Sequence, residues 1–206
     1  MNDRFYALPE EKKNRILNAG YRVFALNSYR KSPMSEIAAE AGISKSLLFH
    51  YFRNKKELYL FLWDQAAGLG ISFMKSSGAY DAGDFFDMML LGLKAKTNAM
   101  RIYPYVSAFT IRAFYETDAE VSCEIQESYR KLSQRSSGEA ILKVDPENFR
   151  PGLDLKAMCR QMFWASEGYL WEMVQRGAVD ADALERDGTE MVEFWREVYG
   201  RKPQKK

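Results

Sequence analysis

One histidine and two cysteines in 206 residues leave little material for metal or thiol chemistry. His50 has no second imidazole to share an ion with, and Cys123 and Cys159 lack ligand spacing, so neither a metal site nor a cofactor is expected. Two cysteines outside any C-x-x-C arrangement do not make a disulfide framework, and they fit a reducing cytoplasm. Long hydrophobic runs are also missing. "LYLFLW" and "MMLLGL" fall far short of the roughly 20 apolar residues that a bilayer requires. The N-terminal "MNDRFYALPEEKKNR" is charged and has no apolar core of a secretory signal. There is no G-x-x-x-x-G-K-[ST], and "GLG" at 68–70 is too little for a dinucleotide loop. Alternating strands, internal repeats and low-complexity tracts are absent as well.

What remains is hydrophobicity at 47%, ample for a core, arranged with a helical period. Residues 9–26 bring Ile16, Ala19, Gly20, Val23 and Phe24 to one face, with Pro9 suited to a first turn. Ser32 and Pro33 open a short helix, "MSEIAAEA", which Gly42 stops. Ser44 is placed to cap a third helix of two turns and Asn54 a fourth, running to about residue 77. After the loop "SSGAYDAGD", helical stretches cover about 84–102, 105–116, 119–142, 154–176 and 181–199. The fold class is all-α, with about nine helices.

Charge is unevenly spread. Residues 1–60 hold 11 Lys/Arg against 6 Asp/Glu, a net +5, while the remainder holds 19 against 22, a net −3. A basic head on a mildly acidic body suits contact with a polyanion.

The head has the means. Two short helices joined by "AGIS" have the length and turn chemistry of a helix-turn-helix, Gly42 supplying the positive φ of the turn. At about 100° per residue, Leu48, Tyr51 and Phe52 of the third helix turn inward. Lys45, Ser46, Leu47, Phe49 and His50 share the outward arc. Apolar groups beside small donors suit a DNA major groove, where they meet thymine methyls and base edges. Lys55 and Lys56 open the fourth helix, whose N-terminus favours phosphate. The alternative is that Leu47 and Phe49 are buried by another element and the lysines form a solvated rim.

The stretches "RILNAGYRVFALNSY" and "SPMSEIAAEAGISKSLLFHYFRNKKELY" resemble the DNA-binding domain of the TetR family of bacterial transcriptional regulators. The block "IA…AGIS…L.FHYF.NK.EL" follows the family nearly position by position. The resemblance implies a helix-turn-helix DNA-binding domain of three helices at 1–53, a larger helical effector-binding and dimerisation domain at 54–200, and a polar tail at 201–206. It implies phosphate contact by Ser32, reading by Lys45, Ser46, Leu47, Phe49 and His50, and backbone grip by Tyr51 and Lys55. Ser46-Leu47 stand where the family often has Gly-Thr, Phe49 replaces a frequent Tyr, and Ser28 stands where a Gly commonly precedes the aromatic Tyr29.

The body is less specific. Apolar residues recur at helical spacing in the last two long helices, as they would in an internal core. The resemblance implies instead a four-helix interface in a homodimer, with Met162, Tyr169, Met173, Met191, Phe194, Trp195 and Val198 on it. Such a C2 dimer would read a palindromic operator about one DNA turn across. Aromatic and methionine residues in the middle fit a filled core or an apolar effector pocket. The pocket candidates are Trp63, Met89, Tyr103, Phe109, Phe163, Glu167 and Trp171. The function so implied is a sequence-specific regulator, a repressor by the family's habit, released by a small apolar effector. A DNA-binding architectural or constitutive regulator without a pocket is the alternative. An enzyme is the outside reading: Ser46 and His50 stand one turn apart like a nucleophile and base, but no third group orients them.

Overall fold

A computed structural model describes residues 3–141, 145–177 and 179–201; beyond Arg201, the tail expected at 201–206 lies outside them. Ten α-helices follow one another: α1 (Asp3–Tyr6), α2 (Glu10–Leu26), α3 (Met34–Glu40), α4 (Lys45–Tyr51), α5 (Lys55–Ser76), α6 (Phe85–Ile102), α7 (Val106–Phe114), α8 (Ser122–Ile141), α9 (Leu155–Gln175) and α10 (Ala181–Tyr199). Among the described residues no strand forms. A single antiparallel bridge joins Phe149 to Gly200. The tenth helix is α1, which the sequence reading missed because four residues carry no periodic signal.

The boundaries follow local chemistry. Side chains of Ser44, Asp154 and Asp180 each accept a backbone N–H at the start of α4, α9 and α10, satisfying donors that a helix leaves orphaned. Asn54 does the same for α5, accepting the Glu57 N–H at 2.8 Å, while the Glu57 carboxylate accepts from Arg53 N–H at 2.9 Å. Between α3 and α4 the chain reverses at Gly42, φ +66°, where a side chain would be strained.

The chain divides into two compact units. The first takes in residues 1–69 and 100–130, the second 70–99 and 131–206. The head expected at 1–53 therefore lies inside a larger unit that includes α7 and the first part of α5. That unit is held by aromatics. Tyr59 meets Phe24 edge-on at 4.8 Å and Phe109 at 5.3 Å between ring centroids, and Phe5 meets Phe61 at 5.1 Å. Edge-to-face pairs of this kind add to the gain from area burial. Burial pushes the hydroxyls of Tyr21 and Tyr59 far above the ordinary tyrosine range, so both stay neutral. In the second unit Phe86, Phe149, Met158, Met162, Val192 and Trp195 form the core.

Candidate nucleic-acid interface and effector cavity

Helix α4 turns its two faces as its sequence dictates. Leu48, Tyr51 and Phe52 are buried, whereas Lys45, Ser46, Phe49 and His50 are exposed and Leu47 is half-buried. Seven residues are too few to hold a helix unaided. The inward residues hold this one, with Ser44 accepting the Leu47 N–H at 3.1 Å and lying 3.0 Å from the Ser46 hydroxyl. The outward arc is flanked by cations. Lys45 lies 5.9 Å from the Phe49 ring centroid and Lys12 5.9 Å from that of Tyr51. Arg4, carried by α1, sets one guanidinium nitrogen 3.2 Å from His50 Nδ1 and 3.3 Å from Nε2. Sequence reasoning missed Arg4 and Lys12. Phe5, almost fully buried beside Phe52, anchors α1 and so brings Arg4 to His50. An aromatic one residue after an arginine was the available signal. Ser46 and His50 thus find partners in Ser44 and Arg4 rather than in each other.

Three of the expected contact residues sit differently. Ser32 is fully buried, its hydroxyl donating to the Ser28 carbonyl at 2.9 Å; the side chain is spent on the loop before α3 instead of facing a phosphate. Tyr51 is buried at 9% exposure. Lys55 donates its ammonium to the Tyr29 and Arg30 carbonyls at 2.9 and 3.3 Å, which fastens the same loop. Lys56 pairs with Glu124 at 2.5 Å.

A family match agrees with this geometry. Residues 16–61 fit the model of "Bacterial regulatory proteins, tetR family", a span running from α2 through α4 into α5. Over these residues the chain is similar to the TetR family. Over 60 residues it is 42% identical to the HTH-type transcriptional activator FasR of Mycolicibacterium smegmatis, covering 29% of this chain and 27% of that protein. In three relatives matched over 60 to 66 residues, the alignment spans between 23% and 33% of their length. A longer alignment, 26% identical over 180 residues, joins 85% of this chain to 80% of the HTH-type transcriptional repressor KstR of Rhodococcus jostii. Among solved structures, the regulator FadR of Bacillus subtilis in complex with stearoyl-CoA superposes with a TM-score of 0.60 at 21% identity, covering 86% of this chain and 96% of that one. That likeness is one of fold.

The residues expected to line one effector pocket divide between the two units. Trp63, Tyr103 and Phe109 belong to the first unit and are core. Phe109 is wholly buried among Tyr21, Phe24 and Tyr59, Tyr103 donates to Asn14 at 2.6 Å, and Trp63 donates to Ser128 at 2.9 Å. Met89, Phe163, Glu167 and Trp171 belong to the second unit. Of these Met89 lines a cavity of 190 Å³ between α6, α9 and α10.

Three residues expected on the dimer face, Tyr169, Met191 and Trp195, also line that cavity. Met162, Met173 and Trp195 are buried within the protomer, so their stripe packs internally, while Val198 is half-buried. The large apolar side chains left outward on α9 and α10 are Phe163, Trp164 and Phe194, at 43%, 61% and 61% exposure. Sequence reasoning assigned Phe163 to the pocket and Phe194 to the dimer face, and counted Trp164 only among the aromatics of the body. Lys96, which lines the cavity, is exposed to solvent, although the protein packed around its amine pulls it below the ordinary lysine range.

Proposed function

We propose that the chain is a transcriptional regulator that binds a palindromic operator sequence-specifically as a homodimer, its head at 1–53 reading the DNA. The observation that carries this is α4. Its inward side chains are consumed by packing, while its outward arc offers Lys45, Ser46, Phe49 and His50 beside Arg4, with no element of the described chain over it. Phosphate attraction supplies affinity and orientation there, and base-edge contacts supply sequence preference. The exposed aromatics of α9 and α10 support pairing of two copies through those helices.

Release by a small, largely apolar effector is supported by the cavity beside Met89 and by FadR, a protein of similar fold solved with an acyl ligand. An effector acts only by binding the DNA-free state more tightly than the DNA-bound one. None of the described helices is long and apolar enough to cross a membrane, and action on DNA in the cytoplasm follows from the reading.

The deciding experiment recovers fragments of the source genome on the purified protein at moderate salt and sequences them. A few palindromic sites are expected. Recovery without sequence preference would replace the regulator with an architectural binder, and no recovery would end the DNA reading.

A further inference from the structure

The cavity of the second unit is apolar on most of its wall. Met89, Leu93, Leu170, Leu184, Val192 and Trp195 supply that wall. Its polar side chains are Lys96, Ser166 and Tyr169, and they are not equivalent. The Tyr169 hydroxyl is committed to the Asp187 carboxylate at 2.5 Å. Ser166 is exposed although α9 turns it toward the packed side of the helix, between buried Met162 and buried Leu170, so solvent enters the unit at that point. Lys96 brings the cavity's one cationic lining residue.

That cation is poorly compensated. Burial pulls the Lys96 amine below the ordinary lysine range, and the attraction of Glu167 only partly restores it. Burial raises Glu167 in turn, with Lys96 again a lesser influence. Each charge loses more to desolvation than it regains from the other. An apolar wall carrying a single solvent-reached cation suits a guest with an anionic head and an apolar body.

Resting on the effector reading above, we infer that this cavity takes a small organic carboxylate with an apolar body, its head against Lys96 and Ser166 and its body against Met89, Leu93 and Trp195. Size narrows the class. A volume of 190 Å³ equals roughly six water molecules' share of liquid volume, and at protein packing density it holds on the order of ten non-hydrogen atoms. Aryl-acetic and medium-chain aliphatic acids fit within it; a stearoyl chain would have to extend beyond it.

The test uses the full-length protein and calorimetric titration with phenylacetate, octanoate and 3-methylbutanoate, each against its own amide. The expected result is a preference of tenfold or more for at least one acid over its amide, lost in Lys96→Met with the amide's affinity unchanged. Val192→Phe, which fills the cavity from the opposite wall, should abolish binding of both. Far-UV circular dichroism checks each variant, and the acid-to-amide comparison on the wild type stands without them. Equal binding of acids and amides would overturn the anion preference while leaving an apolar effector standing. Binding that survives Val192→Phe, or no binding of any probe, would remove the cavity as an effector site as well.

Discussion

The Lys55 ammonium sits 4.4 Å from the centroid of the Tyr29 ring and donates to the Tyr29 carbonyl at 2.9 Å. A cation held in this way serves the loop before α3 as a clamp. Lys55→Ala should therefore lower stability by about 1–2 kcal/mol, the loss of a charge-assisted hydrogen bond and a cation–π contact at a half-exposed site. Urea unfolding reads that loss. Its salt dependence of DNA affinity should change less than that of Lys45→Ala, where the slope falls by about one. A full loss of slope with unchanged stability would mean that Lys55 grips phosphate directly.

Arg4 approaches both ring nitrogens of His50 at nearly equal distance, 3.2 and 3.3 Å, and so braces the ring without selecting a tautomer. Arg4→Ala and His50→Ala should relax preference at the same operator base pair, each by about 1–3 kcal/mol. Anisotropy titrations over single-base operator variants will register it. Effects at unrelated positions would detach Arg4 from the reading of His50.

Lys96 gives a pH prediction of definite sign. Because burial lowers its folded pKa, the unfolded amine keeps its proton to higher pH than the folded one. Stability then rises as pH climbs from the lowered value toward about 10.4, the ordinary lysine value. Glu167, held high by burial, works at the acid end. Its folded carboxyl keeps a proton that the unfolded one has lost, so stability falls as pH rises from about 4.3 through the raised value. Tyr169, pushed up to about 12 by burial and its bond to Asp187, opposes this from about pH 10, where the unfolded phenol ionises, and it cancels in the difference between wild type and Lys96→Met. Melting temperatures of wild type minus Lys96→Met should climb between pH 7.5 and 10. Parallel curves would place the amine in bulk solvent.

Helix α2 passes α5 closely enough that a Cβ on Gly20 would lie 2.6 Å from Leu62 Cδ1, and Leu62 is wholly buried. Gly20→Ala should cost about 1–3 kcal/mol through overpacking. Leu62→Val should recover part of that in the double variant, which chemical denaturation of all four forms would measure. Additive losses would mean that the two side chains do not compete for space.

Trp164 and Phe194 expose more than half of their surface on α9 and α10. If two copies pair through these helices, Trp164→Glu with Phe194→Glu should yield monomers in sedimentation velocity, with the fold intact and operator affinity reduced. A dimer that persists would move the interface elsewhere.

The head was legible because its signals are local. A serine at the cap, a glycine at the turn and seven residues of known rotation fix which side of α4 is buried before any partner is known. The body was not, since an apolar stripe announces burial and leaves open what does the burying. Met162 and Met173 show the same spacing as a dimer face, and their own unit covers them. Ser32 illustrates a further limit: its residue type suits phosphate contact, but its hydroxyl already donates to the nearby Ser28 carbonyl. Lys96 drew no notice for want of any periodic or motif context, and became meaningful only when α6, α9 and α10 left a space around it.

The seven-residue reading helix divides its labour cleanly. Leu48, Tyr51 and Phe52 carry the structural burden, and Lys45, Phe49 and His50 carry little of it. If α4 reads DNA as proposed, substitutions on the outer arc will alter what is read at small expense to the fold, whereas those on the inner arc will cost stability. On that reading, operator preference would drift during evolution, or be redesigned, one exposed side chain at a time on an unchanged scaffold.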